Sequence, residues 1–107
     1  MKYPPRGEVW LVDLGMAAKV RPCLVLSVPL EDTDRSIVTL VPHTTSVRGS
    51  RFESAVPVRF LKSGVFDAQG LVTVPLAWLI RRVGVLTAAQ LKPVEFAVRS
   101  WLGIRSD

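Results

Sequence analysis

Short blocks of β-branched and aliphatic residues, each cut off by a polar or turn-forming cluster, fill most of the chain. Gly7-Glu8-Val9-Trp10-Leu11-Val12-Asp13-Leu14 lies between Pro4-Pro5 and Gly15 and predicts a strand. Arg21-Pro22 introduces Cys23-Leu24-Val25-Leu26-Ser27-Val28, an apolar run too short for a helix. It reads as a buried strand whose first residue Pro22 marks. A polar turn at Glu31-Asp32-Thr33-Asp34-Arg35 leads into Ser36 to Pro42, a third strand that should form a hairpin with the second. His43 to Arg51 has hydroxyls, basic residues and no periodicity, so it predicts a loop of the kind that carries function. Glu53 to Phe60 alternates weakly and contains Pro57, which points to an edge strand. Gly64, Asp67 and Gly70 delimit a turn region, and Leu71 to Pro75 and Trp78 to Val83 are extended again.

The period changes at Thr87. Thr87-Ala88-Ala89-Gln90 is a capping box, Leu91, Val94, Val98 and Trp101 recur at helical spacing, and Gly103 is a natural stop. Pro93 predicts either a kink or a division into one turn and a main segment starting near Pro93, because proline is tolerated only near a helix start. Five to six short strands without helical crossovers, followed by one terminal helix, predict a mainly β fold: a small barrel with a C-terminal α-helix. With 107 residues and 49% hydrophobic content, one domain over 1–107 with a real core is expected.

Composition narrows the setting. No run of 18 apolar residues occurs, and Met1 to Arg6 has no apolar stretch of the signal-peptide kind, so a cytoplasmic protein is expected. Cys23 is the only cysteine, which excludes an internal disulfide and a multi-thiolate metal site. A net charge of +5, with arginine outnumbering lysine, favours polyanionic partners and bidentate phosphate contacts.

Three segments in order, Arg6-Gly7-Glu8-Val9-Trp10-Leu11-Val12-Asp13-Leu14, Arg21-Pro22-Cys23-Leu24-Val25-Leu26-Ser27 and Val41-Pro42-His43-Thr44-Thr45-Ser46, resemble the MazF/PemK/Kid toxins. The likeness extends more weakly through Gly70 to Leu79 and from Val83 to Gly103. It implies an SH3-like barrel and an endoribonuclease of a type II toxin-antitoxin system that needs no cofactor and no metal. The implied substrate is single-stranded RNA, chiefly messenger RNA, cut at short motifs by attack of the 2′-hydroxyl. The implied partners are a second copy of the chain and a cognate antitoxin, with no membrane.

Such cleavage needs an acceptor for the 2′-hydroxyl proton, a cation to stabilise the phosphorane and an acid for the leaving 5′-oxygen. Arg21 matches the family's catalytic arginine, and its guanidinium suits two phosphate oxygens. Thr44 matches the catalytic threonine, whose hydroxyl suits a non-bridging oxygen. His43, the only histidine, and Thr45 are further catalytic candidates by adjacency, although the resemblance does not support His43. Ser46, Arg48, Arg51 and Arg82 are candidates for RNA contact. The segment 15–20 departs from the family pattern: it is short and carries no carboxylate, so no loop glutamate supplies a base. Two rivals differ in kind. A gyrase-binding toxin of the CcdB type is faintly echoed by Trp101-Leu102-Gly103-Ile104 but needs neither Arg21 nor Thr44, and an inactive RNA-binding SH3-like module would bind RNA without products.

Overall fold

The computed structural model describes residues 3–15 and 19–105, so most of the shortened segment after the first strand lies outside the described residues. Seven strands and one helix follow each other: β1 (Glu8–Asp13), β2 (Val20–Val25), β3 (Ile37–Thr44), β4 (Glu53–Ser54), β5 (Val65–Asp67), β6 (Val72–Pro75), β7 (Leu79–Val85) and α1 (Ala88–Leu102). The fold is mainly β with a C-terminal helix, as the hydrophobic pattern predicts. All pairings are antiparallel, in the order β4-β5-β3-β2-β1-β7, with β6 also on β3.

The path ends on β4 and β7, with no ladder between them among the described residues, so the barrel is open at that seam. Side chains cover part of the gap: the ring of Phe60, in the stretch after β4, lies directly on the backbone of Gly84 in β7.

Three expectations need correction. The edge strand predicted over Glu53 to Phe60 shrinks to Glu53–Ser54, because the chain then leaves the sheet to pack Val56, Val58 and Phe60 against the core. β5 occupies part of the region read as a turn; its Val65 and Phe66 are buried, and only Asp67 and the 3₁₀ turn Ala68–Gly70 have turn character. His43 and Thr44 belong to β3, not to the loop after it. The helix is one segment through Pro93. The Ala89 carbonyl that loses its usual donor to the proline belongs to an exposed residue, where water can satisfy it.

Two cores flank the sheet. On one side Val9, Leu24, Val41 and Phe66 meet Val94, Ala97 and Val98 of α1. On the other, Val12, Cys23, Val25, Val38 and Leu40 meet Val74, Leu76 and Leu79. Each fully buried Leu, Val or Phe among them contributes roughly 1.5–3 kcal/mol relative to exposure. The helix is fixed at its start by the reciprocal bonds of Thr87 and Gln90, at 3.2 and 2.9 Å, and at its end by Gly103 in the left-handed region. Arg6 ties the chain before β1 to α1 through Glu95 and donates to the Leu26 carbonyl at 2.6 Å. Burial pushes the Cys23 thiol up to about 12, against a smaller opposing pull from Arg21, so the only thiol is unreactive in the native state.

Gly64 is required where the stretch before β5 crosses β3. A Cβ there would lie 2.2 Å from the Thr44 carbonyl oxygen and 2.9 Å from Cε1 of His43. Gly64→Ala is expected to lower unfolding free energy by roughly 1–3 kcal/mol, read as a drop in the urea midpoint. An unchanged midpoint would show that the close approach is not a constraint.

Candidate active site

Alternation along β2 and β3 decides what reaches solvent at one end of the sheet. Cys23 and Val25 of β2, and Val38 and Leu40 of β3, point into the second core. Arg21 and Thr44 are the same-face continuation of those two series. The β2–β3 register pairs Cys23 with Pro42 and Val25 with Leu40, so continued two residues past its last pair it sets Arg21 opposite Thr44. The face that is apolar core at one end therefore becomes polar at the other. Pro22 is tolerated here because the ladder to β3 has already stopped, while that to β1 continues through Leu11.

Arg21 and Thr44 line one cleft of about 470 Å³ together with Ser46, Arg48, Glu53 and Asp67, over an apolar floor that includes Leu14, Val72 and Val74. Trp78, 42% exposed, stands at the same wall. Thr44 Oγ1 accepts a hydrogen bond from the Ser46 backbone N–H at 3.0 Å, which fixes the oxygen and leaves its own proton free to donate. Among the described residues no carboxylate pairs with Arg21 and no acceptor takes its guanidinium protons. Arg82, in contrast, is paired with Glu8 at 3.2 Å, and Arg51 lies 4.5 Å above the Phe52 ring. Neither lines the cleft.

His43 and Thr45 point elsewhere. In a strand, neighbours face opposite sides, and His43 lies on the side away from Thr44, 5% exposed and edge-on to Phe66 at 5.0 Å. It lines a second cavity with Thr45, and Arg21 is the residue common to both spaces. Burial lowers the His43 pKa below its ordinary 6.5, so the ring is neutral at neutral pH.

Two carboxylates in the cleft were not among the residues singled out from the sequence. Glu53 and Asp67 are direct register partners on β4 and β5. Glu53 accepts the backbone N–H groups of Arg48, Gly49 and Ser50 at 2.8–3.2 Å, in a nest that Gly49 closes with φ 81°. These bonds, that from Arg48 first, hold its carboxyl below the usual glutamate range. The available signal was Arg48-Gly49-Ser50 followed three residues later by a carboxylate. Asp67 caps the 3₁₀ turn by accepting from Gln69 N–H through Oδ1 at 3.1 Å. Its Oδ2 accepts no hydrogen bond among the described residues. Asp67-Ala68-Gln69-Gly70 was legible as a turn but not as a cleft wall.

A family model described as PemK-like, MazF-like toxin of type II toxin-antitoxin system matches residues 5–102. The chain belongs to that family. Within it, an endoribonuclease in complex with its cognate antitoxin from a mycobacterial species is similar at 25% identity and a TM-score of 0.82, over 97% of this chain and 99% of that one. The Mycobacterium tuberculosis toxin MazF-mt6 is 28% identical, with a TM-score of 0.77 over 92% of this chain and 99% of that toxin. A MazE–MazF complex from Deinococcus radiodurans shares the PemK/MazF fold, with a TM-score of 0.79 at 23% identity over 96% and 98% of the two chains. Among the described residues no helix is long and apolar enough to cross a membrane.

The Glu53 nest gives this PemK-like cleft a pH-dependent wall. A depressed folded-state pKa adds stability that is complete above the ordinary value of 4.5 and is lost as pH falls through the lower folded value. Exchange protection at the Arg48, Gly49 and Ser50 amides is expected to hold at neutral pH and to fall only below 4.5. Glu53→Ala should remove it at neutral pH, and equal protection in both proteins at pH 6 would refute the role of the carboxylate.

Proposed function

We propose that this chain, as one toxin domain over 1–107, is a sequence-selective endoribonuclease that needs no metal, cuts single-stranded RNA in the cytoplasm, acts as a homodimer and is neutralised by a cognate antitoxin. The observation that carries the reading is the unpaired Arg21 guanidinium set opposite the Thr44 hydroxyl at a cleft. Family membership and the likeness to an endoribonuclease seen with its antitoxin support the substrate class and the partner.

In this reading a phosphodiester enters between Arg21 and Thr44. The guanidinium takes two of its oxygens, and the Thr44 hydroxyl, held by Ser46 N–H, donates to a non-bridging oxygen. The 2′-oxygen attacks phosphorus as its proton passes to a base, the bond to the 5′-oxygen breaks, and that oxygen leaves with a proton. The products are a 2′,3′-cyclic phosphate and a 5′-hydroxyl. Of the two carboxylates, Glu53 is bound to three backbone amides whereas Asp67 keeps Oδ2 uncommitted, so Asp67 takes the role of base. Arg48 and Ser46 extend the phosphate track along the same wall. Arg51 and Arg82, outside the cleft, serve the strand only beyond it. The gyrase-binding alternative leaves the free cation at Arg21 without a task, and an inactive RNA-binding module would use it to hold phosphate but would release no products.

Incubation of the purified protein with mixed-sequence RNA in EDTA, followed by sequencing of products and analysis of their 3′ ends, tests this. Wild type should yield cyclic or 3′-phosphate ends, and Arg21→Ala should lose roughly 10²–10³-fold in rate. Asp67→Asn should lower kcat by roughly 10²-fold or more with little change in KM. Absence of products over a wide excess of folded wild type would overturn the nuclease reading, and unaltered kcat in Asp67→Asn would remove that residue as base.

A further inference from the structure

The second cavity, on the other side of Arg21, has the features of a built site. It encloses about 300 Å³ between Val20, Pro22, His43, Phe60, Leu61 and Lys62, with Arg21 and Thr45 completing the wall. His43 is 95% buried, the complement of its 5% exposure, yet neither ring nitrogen has a hydrogen-bond partner among the described residues. Neither nitrogen is sealed from solvent, since no buried polar side-chain atom is left without a partner. A polar group buried to this degree normally has its hydrogen bonds made within the protein. Here none is made within the described fold, and the residue lines a cavity. The ring is hemmed in on two sides: Phe66 meets it edge-on at 5.0 Å, and Gly64 stands so near that a Cβ there would lie 2.9 Å from Cε1.

We infer that this cavity is a nucleobase subsite for the nucleotide adjoining the scissile phosphate, and that His43 is the residue that reads the base by hydrogen bonding to its edge. The inference rests on the nuclease reading above, since Arg21 as the wall common to both cavities makes a phosphate held there the link between them. A neutral imidazole offers one N–H donor and one lone pair, a combination that base edges complement. Burial keeps His43 in that neutral form. Phe60 supplies an aromatic surface against which a splayed base can stack, and Lys62 a cation for the next phosphate. His43 thus leaves acid–base chemistry to the other cavity and determines specificity instead.

Two experiments test the assignment. Cleavage of a randomised RNA library is sequenced for wild type, His43→Leu and Lys62→Ala, each verified to be folded by thermal melting. Wild type should show a base preference next to the cut that His43→Leu flattens by roughly tenfold in kcat/KM, as expected for the loss of one or two hydrogen bonds. Preferences elsewhere in the motif should persist, and Lys62→Ala should raise KM without altering the preference. An unchanged motif in His43→Leu overturns the proposal.

The second experiment needs no variant. His43 is the only histidine, so its imidazole ¹⁵N signals in the wild-type protein are unambiguous. Titration with an uncleavable 2′-O-methyl oligoribonucleotide should shift them, and saturation of binding with no shift overturns the subsite. A shift without any cleavage of ordinary RNA would keep the subsite and sink the nuclease reading, which separates the two failures.

Discussion

The antiparallel pairing of β3 with three other strands sets everything else in this molecule. One edge of β3 takes β2, and the other takes β6 along Ile37–Leu40 and β5 at His43–Thr44. Because β5 and β6 share that edge, the short turn between them lies beside Val41 and Pro42, between the two pairings. It carries Asp67 and Gly70 to the wall that Thr44 also lines. Strict alternation then sends consecutive residues of one strand to two different spaces. Thr44 faces the cleft with Arg21, and His43 faces the cavity behind it.

The sheet gains a second economy from the same alternation. Arg21 and Thr44 extend two rows whose inner members, Cys23, Val25, Val38 and Leu40, are packed core. The side chains proposed to hold the phosphate therefore stand on strands anchored in packed core, and a loop bond from Ser46 N–H fixes the Thr44 hydroxyl oxygen. The remaining wall is made differently: Arg48 rides on a loop held by backbone bonds to a single carboxylate.

Much of this was legible in the chain because it is written locally. The blocks that became β1, β2 and β3 were legible as strands, although β2 begins at Val20, before Pro22, and ends at Val25, and β3 runs on through Thr44; the capping box and Gly103 delimit α1 almost to the residue. Arg21 and Thr44 were accessible through motif resemblance, and the cleft brings them together. What was not legible depends on long-range packing. Val65-Phe66-Asp67 is too short and too close to glycines to show a strand period, and it becomes β5 only because β3 offers an edge. The stretch after Ser54 has strand composition but is drawn to the helix-side core by Val56 and Phe60. Glu53 and Asp67 are unremarkable in sequence, since their facing arrangement exists only once β4 and β5 pair. His43 next to Thr44 looks like one site in sequence and is two in space.

Phe60 shows how closely architecture and recognition are joined. Its ring covers the open seam by lying on Gly84 and also walls the cavity beneath His43. Under the proposed subsite, a lineage diverging toward a new RNA motif is thus not free to alter every wall of that cavity, because changing this one loosens the barrel. Lys62, exposed at the rim, is the wall where drift is cheap in stability, whereas His43 is buried against Phe66 and can change only within the space its ring fills. The seam that hydrogen bonding leaves open therefore becomes a brake on how quickly selectivity can evolve, and it channels that evolution through very few residues.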